Sequence, residues 1–486
     1  MIGREDPRWN TLRRGFNLRW VADPDRVAVC SSADGVVATV QRAVDEGRRI
    51  TVRSGGHCYE DFVCDNQDGV IVDMALMNGA WRDPNSGLYC MEGGCTNWDL
   101  YVRLYKEFGV TLPAGSCYSV GAGGHFTGGG YGLLSRRDGL TVDYLHAVEV
   151  VRVNSEGRAE LVTVARDSSD PGEREMLWAH LGGGGGNFGI VTKFFFADPP
   201  EAPSDAWILN LAWPWKGLDP DRFRRLLENY GGFLEANSDV GSEYSGLFSL
   251  LHLNQNAGDP AQVVMTAQYV GPRPELLAEF GAHVGDGVGA PEPQKRPCGY
   301  HHLVAQGTEP EWMPWLYATQ TLNGSGPNRR GKYKSSYMKR GFPGHQIDAL
   351  YEWLHEYPLR HPKLANPNAL VQVDSYGCQV NAVASDECAI PQRSSIMKLQ
   401  FQTYWTDPAQ DDDNLAWIRG VYEGMYGAAG PRPDEVMDGA YVNYPDVDLD
   451  DWQYLYYLEN YPRLRRAKRL WDPLEVFHHA QSIEPA

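Results

Sequence analysis

A chain of 486 residues with 42% hydrophobic residues and a formal net charge of −19 can bury a sizeable core, and its length points to two or three domains. The negative balance opposes a phosphate backbone, so nucleic acid is not an expected partner, and no run of about 18 apolar residues is present to span a membrane. The nine cysteines (Cys30, Cys58, Cys64, Cys90, Cys95, Cys117, Cys298, Cys378 and Cys388) are scattered without a C-x-x-C pair, so neither a zinc site nor a disulfide framework is expected. The stretch MIGREDPRWNTLRRGFNLRW has no apolar signal core, which makes a cytoplasmic location the expectation.

In chain order, Ser31 and Ser32 precede an apolar face of Val36, Val37, Val40, Ala43 and Val44 that closes at Gly47, which predicts a capped helix. RRITVRSGGHCYED follows as a β-branched strand breaking into a Ser-Gly-Gly turn, whose backbone N–H groups can form an anion-binding concavity. GVIVDMALMN reads as a strand and 97–108 as a helix ending at Gly109. The segment 113–143 carries glycines at 115, 121, 123, 124, 128, 129, 130 and 132, and that density predicts ordered loop wrapped round a ligand, without helix or strand. DYLHAVEVVRVNSEGRAELV is a hairpin turning at 154–157. LGGGGGNFGIVTKFFF runs from glycines straight into an apolar strand, which a flexible linker would not do.

The Pro-rich ADPPEAPSD marks a boundary at 197–205. Beyond it, strand-like WILNLAWPW, SGLFSLLHL, VVMTAQYV, ALVQVDSYG and SIMKLQFQTYW alternate with helical DRFRRLLENYGGFLEAN, HQIDALYEWLHEY and NLAWIRGVYEGMYG. An antiparallel sheet with helices on one face accommodates that pattern most economically. The final DDWQYLYYLENYPRLRRAKRLWDP reads as one basic amphipathic helix with its Arg and Lys on a solvated face.

From the residues alone, His57 after Gly-Gly is better explained as a surface or satisfied residue than by chemistry, and Cys117 has no local His with an orienting Asn or Asp to make it a nucleophile. The glycine-rich surroundings of both favour a large planar or phosphorylated ligand passing close to the backbone. A dinucleotide fingerprint is poorly met at Gly121-Ala122-Gly123-Gly124, with no clear strand before it and no helix expected after it.

Five blocks change the weight of these readings: RSGGHCYEDF, PAGSCYSVGAGGHFTGGGYGLLSRRDGLTVDYL, GGGGGNFGIVTKF, DGAYVNYPDVD and ENYPRLRRAKRLWDP. In this order and over nearly the whole chain, they resemble the berberine-bridge-enzyme-like branch of the vanillyl-alcohol-oxidase flavoproteins. Within that branch they are most similar to bacterial secondary-metabolite oxidases with doubly attached FAD. The resemblance implies an α+β fold with a two-part FAD-binding region, 1–200 returning at 447–486, around a substrate-binding domain at 201–446. It implies FAD bonded covalently to His57 and Cys117. Arg53, Ser54, Gly55 and Gly56 would cradle its pyrophosphate, Gly121, Gly123 and Gly124 would lie along it, and Gly189, Val191 and Asn460 would complete the pocket. No metal is implied.

For catalysis the resemblance points to Tyr444 as base, Tyr376 as its neighbour and Tyr131 as a further ring lining the site. A tyrosine titrating near 10 needs a partner to serve as base at neutral pH, and Tyr376 or Lys398 could supply one. The implied reaction is oxidation of a hydroxyl group of a glycosylated or polyketide natural product, with O2 as acceptor and H2O2 released, by a monomer or homodimer. An aldose or oligosaccharide oxidase, oxidative C–C ring closure and a non-catalytic flavoprotein remain as alternatives. Cys58 and Cys64 beside the turn, together with the lack of a signal, weaken the oligosaccharide reading.

Overall fold

Runs of β-branched and aromatic residues build three sheets, and the junction between them makes the site. The computed structural model describes residues 1–293, 307–324 and 326–486, so Cys298 lies outside the described residues. The first sheet is parallel, with strands β1 (Arg26–Val29), β2 (Ile50–Arg53) and β3 (Val70–Asp73) in the order β1-β3-β2. The helix Ala33–Asp45 returns the chain between β1 and β2. Ser32 caps it by accepting from the Gly35 N–H, and Gly47, at φ 62°, ends it in the left-handed region. Val36 and Val40 of this helix pack on Ile50, Val70 and Val72, the face the sequence periodicity predicts.

The second sheet is antiparallel: β4 (Ala80–Arg82), β5 (Tyr89–Glu92), β6 (Leu145–Val153), β7 (Ala159–Ala165) and β8 (Ile190–Phe196), ordered β4-β5-β8-β6-β7. The expected hairpin is β6–β7, turned where the Gly157 N–H donates to the Asn154 carbonyl.

The third sheet has seven antiparallel strands. These are β9 (Asp205–Pro214), β10 (Leu247–Asn254), β11 (Gln262–Tyr269), β12 (Glu311–Pro314), β13 (Arg330–Met338), β14 (Ala369–Ser375) and β15 (Met397–Trp405), ordered β12-β9-β11-β10-β14-β15-β13. Helices Pro220–Ala236, Glu275–Gly285, Gly344–Tyr351 and Asp411–Tyr426 form the layer that backs it. The α+β class is therefore the one expected, with β12, β13 and Glu275–Gly285 added. The segment RGKYKSSYM of β13 hides its strand character because it buries two lysines, which composition assigns to the surface.

Three expectations fail. The 113–143 segment contains the helix Ala122–Thr127 across the glycines read as loop, because buried Ala122 and Phe126 anchor it and the His125 N–H reaches the Gly121 carbonyl; packing outweighs glycine's poor helix propensity. The C-terminal helix is two, Trp452–Tyr457 and Tyr461–Trp471, broken at Leu458 (φ 44°) just before Pro462. Its Lys468 is not on a solvated face: it is buried and donates to the carbonyls of Asn187 and Phe477 and to Asp472. Among the described residues no helix is long and apolar enough to cross a membrane.

Candidate active site

The site begins where two glycine turns touch backbone to backbone. A Cβ on Gly55 would lie 2.3 Å from the Gly121 nitrogen, and one on Gly121 would lie 2.1 Å from the Gly55 nitrogen, so only glycine allows the approach at either position. This contact docks the turn after β2, which carries His57, on the loop that carries Cys117. Ser54 Oγ donates to the Gly93 carbonyl at 2.7 Å and receives the Gly123 N–H at 3.4 Å, tying the second sheet to both. Arg53 spends its guanidinium on Asp73 and on the Arg14 carbonyl (2.9 Å), so it braces the turn at the edge of the cavity.

One cavity of about 620 Å³ runs from these turns to the seven-stranded sheet. It is lined by Arg53, Ser54, Gly55, Gly56, His57, Cys117, Gly121, Gly123, Gly124, Tyr131, Gly189, Val191 and Tyr444. Two expected residues stand back from it. Tyr376 donates to the Gln392 carbonyl at 3.2 Å and packs behind Tyr131, with ring centroids 5.2 Å apart. Asn460 gives its amide to the carbonyls of Ser385 and Cys388.

The cavity suits a long flavin nucleotide. Gly124 has no atom within 4 Å of where a Cβ would stand, so its backbone faces open space, and Gly184, Gly185 and Gly186 form a further wall. At the Cys117 end the Asn97 amide donates to the Cys117 carbonyl, while its own carbonyl oxygen is buried without a partner, as expected of an acceptor awaiting a ligand donor. His57 stacks on Phe16 (centroids 4.7 Å apart) with its Nε2 2.8 Å from Ser119 Oγ, and burial pushes its pKa down to about 4, leaving a neutral imidazole. Burial also holds the His125 imidazole down, to about 3, and its Nε2 accepts the Gly115 N–H.

At the sheet end, Lys398 organises the chemistry. Its ammonium lies 3.1 Å from the Tyr444 hydroxyl and 3.1 Å from Asp374, with the rings of Tyr131 and Tyr444 at 3.9 Å and 4.5 Å. Burial lowers the Lys398 pKa and Asp374 opposes that, while burial pushes the Tyr444 phenol well up. Tyr444 therefore starts protonated, and an ammonium in hydrogen-bond contact is the partner that can hold its oxyanion. The Tyr131 hydroxyl is committed to the Ser375 carbonyl at 2.5 Å, so this residue presents its ring and not a free hydroxyl.

From Lys398 a polar row crosses the sheet. His252, Gln372 and Gln400 are register partners on β10, β14 and β15, and Gln402 and Tyr404 continue the row along β15. Gln372 bonds Asp374 and His252, and Gln400 bonds the Tyr59 hydroxyl. Asp374, His252, Gln372, Gln400 and Gln402 were missed in the sequence, though a signal exists. In MKLQFQTYW every second residue from Lys398 to Tyr404 is polar, and the same period holds for Gln372 and Asp374. That is one strand face turned to a polar cavity while the other packs on helices.

Comparison with known proteins accords with this geometry. Residues 24–159 match the model of an FAD-binding domain, and 440–484 match that of berberine and berberine-like proteins. The chain is 40% identical to aclacinomycin-N/aclacinomycin-A oxidase of Streptomyces galilaeus, over 100% of this chain and 89% of the relative. It is 37% identical to hexose oxidase of Chondrus crispus, over 99% and 94%. The crystal structure of a glycopeptide hexose oxidase complexed with teicoplanin superposes with a TM-score of 0.91 at 37% identity, covering 100% of this chain and 98% of that one.

Proposed function

The chain belongs to the berberine-bridge-like FAD-linked oxidases, and on that premise we propose that it oxidises a hydroxyl group of a glycosylated or polyketide natural product, with O2 reduced to H2O2. FAD supplies the hydride acceptor, a chemistry that side chains lack. In this reading His57 and Cys117 hold it covalently, and Ser54, Gly55, Gly56, Gly121, Gly123, Gly124, Gly189 and Val191 shape its bed, with Arg53 bracing the turn. Residues 1–200 and 447–486 would make up the FAD-binding region, and 201–446 the substrate-binding domain.

The observation that carries the reading is the Lys398–Tyr444 contact at 3.1 Å inside the cavity that His57 and Cys117 also line. Tyr444 takes the substrate hydroxyl proton as the C–H bond breaks. Lys398 stabilises the tyrosinate needed for this, and Asp374, 3.1 Å away, favours its charged form against the lowering that burial imposes. The Tyr131 ring faces the same ammonium, and Tyr376 supports Tyr131 from behind, so we assign these two tyrosines to orientation. Gln372, Gln400 and Gln402 offer amide groups to substrate hydroxyls. That row also favours a second reading, a free sugar as substrate.

Anaerobic bleaching of the flavin decides the matter. A panel of glycosylated and polyketide alcohols should bleach the wild type, while simple aldoses bleach it more slowly. Faster reduction by aldoses would favour the sugar-oxidase reading, and no bleaching by any alcohol would overturn both. Light scattering reads whether the working unit is a monomer or a homodimer.

A further inference from the structure

The geometry points to Ser119 as the positioning residue that decides which nitrogen of His57 bonds the cofactor: by accepting the Nε2 proton in a hydrogen bond, it leaves Nδ1 as the nucleophile toward the flavin 8α carbon. This rests on the reading that His57 holds the flavin covalently.

Three observations carry it. The His57 ring lies against Phe16 at 4.7 Å with 20° between the planes, and the Phe16 N–H is itself tied to the Gly56 carbonyl at 2.8 Å. Stacking fixes the plane of an imidazole but not its two flip states, which exchange Nδ1 with Cδ2 and Nε2 with Cε1. Only a directional partner separates them, and Ser119 Oγ, 2.8 Å from Nε2, is that partner. Ser119 in turn is placed by the contact between the glycine turns, since its carbonyl lies 2.5 Å from where a Cβ on Gly55 would stand.

The tautomer follows by elimination. If Ser119 donated to Nε2, Nδ1 would carry the proton and neither nitrogen would have a free lone pair. With Nε2–H donating to Ser119, the Nδ1 lone pair is free, and the buried ring is neutral as a nucleophile must be. In the bond-forming step one 8α hydrogen leaves as a proton, Nδ1 forms the C–N bond, and the Nε2 proton departs along the Ser119 hydrogen bond. The two electrons stay on the flavin ring, which is thereby reduced, and then pass to molecular oxygen, which with two protons becomes hydrogen peroxide.

The test uses purified holoprotein in a Cys117→Ala background, where flavin that survives acid precipitation reports on His57 alone. Ser119→Ala should lower the share of acid-stable flavin about tenfold, the effect of losing one oriented hydrogen bond. Chromatography of the hydrolysed histidyl-flavin should then show both ring isomers in what remains. Ser119→Thr should restore the parental share and a single Nδ1 isomer, while its isostere Ser119→Val should not; this pair decides the point should the alanine variant fail to fold. Parental attachment with a single isomer in Ser119→Ala or Ser119→Val overturns the role of Ser119. Absence of acid-stable flavin in the Cys117→Ala parent, Ser119 intact, overturns the His57 bond itself.

Discussion

Tyr444 and Lys398 set the expectations at the residue scale. Tyr444→Phe should slow anaerobic flavin reduction by about a hundredfold or more, as loss of a general base does, and a variant reducing at the wild-type rate would move the base elsewhere. The pH dependence has a definite sign. Burial holds the Tyr444 phenol protonated, so the reduction rate should rise with pH as the proton becomes easier to remove. Lys398→Met removes the cation 3.1 Å from that oxygen, so the rising limb should move to higher pH; an unmoved limb would show that Lys398 does not stabilise the tyrosinate. Tyr444 was legible because it stands in the block DGAYVNYPDVD. Asp374 was not, since an aspartate in VQVDS acquires its role only when β14 pairs with β15 and brings it opposite Lys398.

At the scale of elements, a charge cluster that is buried except at its Arg419–Asp448 rim joins four segments that the sequence keeps apart. Lys332 on β13 pairs with Glu60, three residues beyond His57, and with Asp446, two beyond Tyr444, at 2.7 Å for the latter. Lys334 pairs with Asp446 at 2.7 Å and Asp448 at 3.1 Å, and Arg419 with Asp448 at 2.8 Å, so three cations meet three carboxylates. The cluster therefore sets the His57 turn against the Tyr444 loop. Lys332→Met strands Glu60 in the interior and leaves Asp446 to Lys334 alone, and should cost about 3–5 kcal/mol of stability, read by thermal or denaturant unfolding. Gly55→Ala puts a methyl group 2.3 Å from the Gly121 nitrogen and should abolish covalent flavin by forcing the two turns apart; full attachment in that variant would contradict the docking. A Gly-Gly turn was legible as a turn. Its partner, 66 residues on (121 minus 55), was not, because backbone contact leaves no local pattern.

Over the whole molecule, burial of neutral histidines makes acid the expected weakness. The pKa values of His125 and His479 are pushed down to about 3, and that of His180 to about 4, mainly by desolvation. The unfolded chain takes up these protons below about 6.5 while the folded chain does not, so stability is complete above that pH and is lost as pH falls toward the folded values. Each group contributes up to about 1.4 kcal/mol per pH unit in that window. Thermal scans should show Tm falling steadily from pH 6.5 to 4, with a shallower slope in His180→Gln; a flat profile would mean that these rings are hydrated in solution.

What the sequence by itself determined is what local chemistry writes into it: the α+β class, the capped helix at Ala33–Asp45, the β6–β7 hairpin, and glycine turns around His57 and Cys117. The resemblance of five blocks added the cofactor and Tyr444. Only the tertiary structure decided which residues meet. It withdrew Tyr376 and Asn460 from the cavity wall, selected Lys398 over Tyr376 as the partner of Tyr444, brought in Asp374 and the amide row, and set Ser119 on His57. The physical reason is that hydrogen bonds and ion pairs act over a few ångströms in space, and the spacing along the chain between their partners carries no trace of that distance until the sheets pack.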